Sequence, residues 1–199
     1  ERACATAELV YSLIKYCGGE IDTVMAESLY TAILTDTGSF RFSNTNPEAH
    51  RIAMELISRG IKPDEIYARV YENITPVKMK LLSEALRDLH YEYGGKLAWF
   101  RITKEMLRKS KADTSEIEGF TDFVRTIQGV RVSLMLLQLS DKRTKVSFRS
   151  KGEIEVNRVA RKWGGGGHKY AAGCLIQKPM EDVINKIIGD FKDQFDRAG

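Results

Sequence analysis

Apolar residues recur at helical spacing through roughly the first ninety positions. In ATAELVYSLIKY, Ala7, Val10, Ile14 and Cys17 fall on one face, with Leu9 and Leu13 beside it, which predicts an amphipathic helix. Gly18-Gly19 stops it. Asp22 is placed to cap a second helix running to about Leu34, and the small polar turn Thr35-Asp36-Thr37-Gly38 follows. Asn46 as N-cap, Pro47 at the first helical position and Gly60 at the end mark a third. Pro63 opens a short fourth helix, and Pro76 a longer one closed by Gly94-Gly95.

Past those glycines the period changes. KLAWFRIT reads as a strand, and GVRVSLMLLQLS and TKVSFRSKG read as a hairpin joined by Asp141-Lys142-Arg143. EVNRVARKW is helical, with Val156, Val159, Ala160 and Trp163 on one side. AAGCLIQ is a short strand. MEDVINKIIGDFKDQF is an amphipathic helix striped by Val183, Ile184, Ile187, Ile188 and Phe191. The pattern predicts three parts: a mostly helical residues 1–75, a connecting helix over 76–95, and an α+β domain with a mixed sheet over 96–199. The helices of the first part are amphipathic, yet nothing in that part supplies a sheet for them to cover.

Composition changes little in this picture. Hydrophobic residues make up 43% of the 199 and charged residues 29%, an ordinary globular balance. The net charge of +4 suits a phosphate-bearing partner without demanding one. Cys4, Cys17 and Cys174 form no CxxC pair, which argues against a structural zinc site or a disulfide framework and for reduced thiols in a cytoplasmic protein. No apolar run is long enough to span a bilayer, so no membrane partner is expected. The chain opens on Glu1, almost inside its first helix, which suggests a piece of a longer protein.

Three stretches carry candidate chemistry. WGGGGHKYAAG sets four glycines, Gly164 to Gly167, before His168. Such freedom lets another group approach the backbone, and successive N–H groups can form an anion-binding nest. A flexible linker is the alternative, but the flanking segments look structured. In SFRSKG, alternation turns Arg149 away from Phe148, and a guanidinium suits bidentate phosphate binding. In TDTGSFRF, Asp36 is a candidate metal ligand, although Asp also favours turns in its own right.

Taken together and in this order, ATAELVYSL, TDTGSFRFSNT, VSFRSKG and VNRVARKWGGGGHKYAAG closely resemble the DHH phosphoesterase family over essentially the whole chain. Within it they are most similar to bacterial enzymes that degrade very short RNAs and dephosphorylate 3′-phosphoadenosine-5′-phosphate. The resemblance implies an α/β parent in which a catalytic DHH domain with a parallel sheet binds two divalent ions, usually manganese, and a DHH-associated domain closes over the substrate. It makes residues 1–75 the C-terminal remnant of the catalytic domain. It also makes Asp36 a metal ligand and Arg149, Ser150, Gly165, Gly166, Gly167 and His168 the substrate-binding residues. The Asp-His-His and Asp-x-Asp motifs are absent, so one metal ligand of the expected set remains and the chain alone is expected to be inactive. His50 and His90 lie in helical patterns and are expected to be structural. The implied partners are short single-stranded oligonucleotides or phosphorylated nucleotides, and a homodimer is a compatible assembly. A polyphosphate-degrading phosphatase and a non-catalytic nucleic-acid-binding module are the competing readings. Base-stacking aromatics would favour nucleotides, with Tyr170 and Phe148 the residues to watch.

Overall fold

A computed structural model of the chain describes residues 3–152 and 154–197. These divide into two compact units meeting at Asn73 and Ile74.

The first unit holds four helices, α1 (Thr6–Tyr16), α2 (Thr23–Asp36), α3 (Pro47–Ile57) and α4 (Pro63–Tyr71). Their caps are the residues expected. The Asp22 carboxylate accepts from the Met25 amide at 2.8 Å and the Asn46 side chain from the Ala49 amide at 2.7 Å. Each cap stabilises its helix by about 1 kcal/mol. Tyr11, Ile33, Ile52, Leu56 and Ile66 fill the shared core. The buried face of α1 keeps only Ala7 and Ile14 of the stripe the sequence suggested. Ala7 and Tyr11 are buried, whereas Leu9, Val10, Leu13 and Cys17 are exposed. Two apolar stripes run side by side on this helix, and periodicity cannot choose between them. The polar tip of Tyr11 decides: its hydroxyl donates to Glu55 on α3, which turns the aromatic ring inward.

The second unit begins with α5 (Pro76–Arg87), which is shorter than the connecting helix expected over 76–95. Leu81 and Ala85 bury against Ala98 and Phe100, so this helix is part of the second unit's own core. It stops because Asp88 is drawn aside by Arg101, whose Nε and Nη2 both donate to its carboxylate at 2.7 Å. β1 (His90–Glu92) then pairs antiparallel with β2 (Leu97–Ile102). Gly94 and Gly95, expected to end a helix, make the hairpin turn at φ of 64° and 85°. His90 therefore sits on a strand, stacked on Trp99 with ring centroids 4.2 Å apart.

From β2 the chain crosses through α6 (Lys104–Ser110) and α7 (Phe120–Arg125) to β3 (Val132–Ser140), which runs parallel to β2. β3 turns back into β4 (Arg143–Ser150), the expected hairpin. α8 (Val156–Lys162) leads to β5 (Gly166–His168), β6 (Ala171–Ile176), α9 (Met180–Gly189) and α10 (Lys192–Arg197). The mixed sheet has the order β1-β2-β3-β4-β6-β5. One face carries Leu134, Leu136, Val146, Phe148 and Cys174 into a core closed by Val159 of α8 and Val183 and Ile187 of α9. On the other, Phe100, Ile102, Met135 and Leu137 pack with Leu81, Phe120 and Val124 of α5 and α7. That second cover reaches β4 and ends there, leaving Lys145, Leu175 and His168 exposed. Among the described residues no helix is long and apolar enough to cross a membrane.

Candidate phosphate-binding face

The open part of the sheet is built by register. Arg149 pairs with Ala171, and Ala171 with His168, so the three lie in one row across β4, β6 and β5 and project to the same side. Two strand spacings separate Arg149 from His168, about 10 Å between Cα atoms. Arg149 and His168 thus flank Ala171 on one face of the sheet. The next row on this face is Ser147, Gly173 and Gly166, a floor almost without side chains.

The glycine tract divides into distinct jobs. Gly164, at φ 71°, ends α8, and the amides of Gly164 and Gly165 donate back to the carbonyls of Arg161 and Ala160. Those two N–H groups are spent on the helix end and are not presented to an anion. A Cβ on Gly165 would stand 2.2 Å from the Gly173 carbonyl oxygen. At Gly167, with φ 134°, it would stand 2.6 Å from that of Ala171. Both glycines are thus required by the chain's own close approach to β6. Gly166 is different: a Cβ there would meet nothing within 4 Å. The tract forms an edge strand rather than a linker, and its second half faces outward where a ligand can reach the backbone.

Arg149 is half-buried and already oriented. Its Nε donates to the Asp122 carboxylate of α7 at 3.1 Å, and Nη1 donates to the Phe148 carbonyl at 3.1 Å. A guanidinium has five N–H donors, so the outer edge keeps capacity for an anion. Asp122 also lies 3.6 Å from Arg125. Lys169, next to His168, is turned aside to Glu155 at 2.9 Å, and this pairing raises the Lys169 pKa and lowers that of Glu155. Of the other predicted residues, Ser150 is not brought to this face. It is buried on the opposite side of β4, where its hydroxyl donates to the Ile154 carbonyl at 2.6 Å and holds the loop before α8. Phe148 is fully buried in the core. Tyr170 is partly exposed, with the Lys169 ammonium 5.4 Å above its ring. Asp122 and Lys145 belong to no motif: strand alternation puts Lys145 on the face of Arg149, and only the fold brings Asp122 to it.

Asp36 belongs to the helical unit. It is the last residue of α2, exposed, beside a 270 Å³ pocket that Thr6 and Leu9 also line. The turn after it is tightly built. The buried Thr37 hydroxyl donates to the Ile33 carbonyl at 2.6 Å and accepts from the Phe40 amide. Gly38, Ser39 and Phe40 all have left-handed φ near 60°, which costs about 1 kcal/mol or more at each non-glycine position. Asn44 bridges the Asp36 and Cys4 carbonyls. A cation at the C-terminal end of α2 would be favoured by the helix dipole. The donor set, however, is one carboxylate. Among the described residues, no three His, Cys, Asp or Glu side chains gather in a group that could hold a metal ion. The residues present do not by themselves make a two-metal centre. His50, the histidine of this unit, stacks on Phe40 at 4.9 Å.

The sequence matches the profile of the DHHA1 domain over residues 94–196. It is similar to the bifunctional oligoribonuclease and PAP phosphatase NrnA of Thermus thermophilus, 32% identical over 98% of this chain and 58% of that protein. The protein of the same name from Bacillus subtilis is 31% identical over 96% of this chain and 60% of its own length. The chain thus spans about three fifths of the length of these curated relatives. An exopolyphosphatase-related protein from Bacteroides fragilis shares the fold with a TM-score of 0.90 and 31% identity, covering 98% of this chain and 59% of that one.

Proposed function

The chain belongs to the DHH phosphoesterases through its DHHA1 domain, and on that premise we propose that it supplies the substrate grip of a hydrolase acting on very short oligonucleotides or 3′-phosphoadenosine-5′-phosphate. The observation that carries this reading is the row Arg149–Ala171–His168 beside a floor of Gly166 and Gly173. A terminal phosphate would lie over Ala171. The free edge of Arg149 donates to it from one side and the His168 ring from the other, while Asp122 keeps the guanidinium from swinging away. Small residues beneath let the phosphate reach the sheet, and a charge-assisted pair of this kind contributes about 1.5–3 kcal/mol. Anchoring one end of a short ligand fixes the position of its scissile bond, and positioning is a large part of the catalysis available for small substrates. We assign Asp36 as one carboxylate of a manganese site whose other donors are not among the described residues. The relatives named oligoribonuclease and PAP phosphatase support the nucleotide substrate. The fold shared with an exopolyphosphatase-related protein keeps polyphosphate as the second reading.

Calorimetric titration of the chain with 5′-phosphorylated diadenylate and with inorganic tripolyphosphate tests this. Saturable diadenylate binding that weakens at least tenfold in both Arg149→Ala and His168→Ala is the expected result. Binding indifferent to both substitutions would remove the grip from this face.

A further inference from the structure

Arg149 also lines a cavity of about 300 Å³ on the α7 side of β4. It lies between the loop leading into α7 and the strands β3 and β4. Lys145, Ser147 and Arg149 enter it from alternate positions of β4, and Met135 of β3 and Ile117 give it apolar wall. Its size is at the small end of ligand pockets, room for one nucleoside rather than a stretch of strand.

Its charge separates possible occupants. Lys145 and Arg149 are opposed by Glu118 and Asp122, two cations against two carboxylates, and Asp122 is already paired with Arg149. A chain of phosphates entering here would meet both carboxylates, and like charges at close range are costly. A neutral group with its own donors and acceptors meets a matched lining instead. The Thr121 and Ser147 side chains stand beside apolar wall, the mixture that fixes a ribose or a base.

We propose that this cavity is the nucleoside subsite next to the phosphate grip, so that a nucleotide, and not a polyphosphate, is the ligand that uses both. The proposal rests on the phosphate reading of Arg149 and sharpens it. It places specificity in Ser147, Lys145 and Glu118, and affinity for phosphate in Arg149 and His168.

Filling the cavity tests it. Ser147→Tyr sets a strand-favouring residue at a half-buried position and pushes a ring into the space. The probes are 5′-phosphorylated diadenylate and inorganic tripolyphosphate, each titrated into wild type and variant, with circular dichroism to check the fold. Diadenylate affinity is expected to fall at least tenfold and tripolyphosphate affinity to fall markedly less. Exposed Glu118 offers a second variant that leaves packing alone. Glu118→Lys is expected to raise tripolyphosphate affinity several-fold, with a steeper salt dependence, and so to narrow the preference for diadenylate. Unchanged diadenylate binding in Ser147→Tyr overturns the subsite while leaving the grip intact. Equal loss of both probes in a folded variant also overturns it, since the ring would then be disturbing Arg149. A wild-type chain that binds neither probe overturns the grip and the subsite together.

Discussion

The two faces of β4 differ in what covers them. Val146 and Phe148 point into the core beneath α8 and α9 and are fully buried. Lys145, Ser147 and Arg149, one residue away in each case, look across a face whose cover stops at α7. The buried side holds its residues by area and close packing, so almost any change there is read as stability. The open side holds few contacts of its own, so changes there should be read in ligand affinity. A strand with period two places the two regimes side by side in sequence. This is why a short motif such as SFRSKG mixes structural and binding residues, and why Ser150 and Arg149 part company despite being adjacent.

The contrast can be broken or sharpened by substitution. Phe148→Ala should cost about 3–5 kcal/mol in urea unfolding, the range for emptying an aromatic site in a packed core. Arg149→Ala should lower diadenylate affinity by at least tenfold and move the unfolding midpoint little. If the two variants lose stability equally, the open face is not open. The glycines give a finer version of the same test. Gly167→Ala drives a Cβ into β6 from a left-handed φ and should destabilise by about 1–3 kcal/mol, whereas Gly166→Ala meets open space and should fold normally. A phosphate bound close over Gly166 would make that second variant a weaker binder despite its stability. The smallest effect is expected at Asp88, where the Arg101 guanidinium holds the carboxyl below the usual carboxylate range. Its folded pKa is lowered, so its stabilising contribution is present above the ordinary value of about 3.9 and fades as the pH falls through the folded value. Asp88→Asn should be less stable than wild type at pH 7, by up to about 1 kcal/mol, with the gap closing as the pH falls through the lowered folded value. A gap independent of pH would show that packing, not charge, accounts for it.

Much of this molecule was legible from its sequence, and for identifiable reasons. The caps Asp22 and Asn46, the prolines opening α3, α4 and α5, and the β3–β4 hairpin depend on local backbone chemistry, which needs no distant partner. The motifs around Asp36, Arg149 and His168 carried the family resemblance because their chemistry is written in adjacent residues. Other features needed the third dimension. The inward stripe of α1 was chosen by a contact from Tyr11 to Glu55, 44 residues on. The end of α5 was chosen by Arg101, thirteen residues beyond Asp88. Most consequential is the glycine tract: two of its glycines serve a neighbouring strand, and only the sheet register sets His168 level with Arg149 and gathers Asp122, Lys145 and Ser147 around a cavity. Local propensity determines which elements form. Which side chains meet depends on how those elements pack, and that is decided by contacts between residues far apart along the chain.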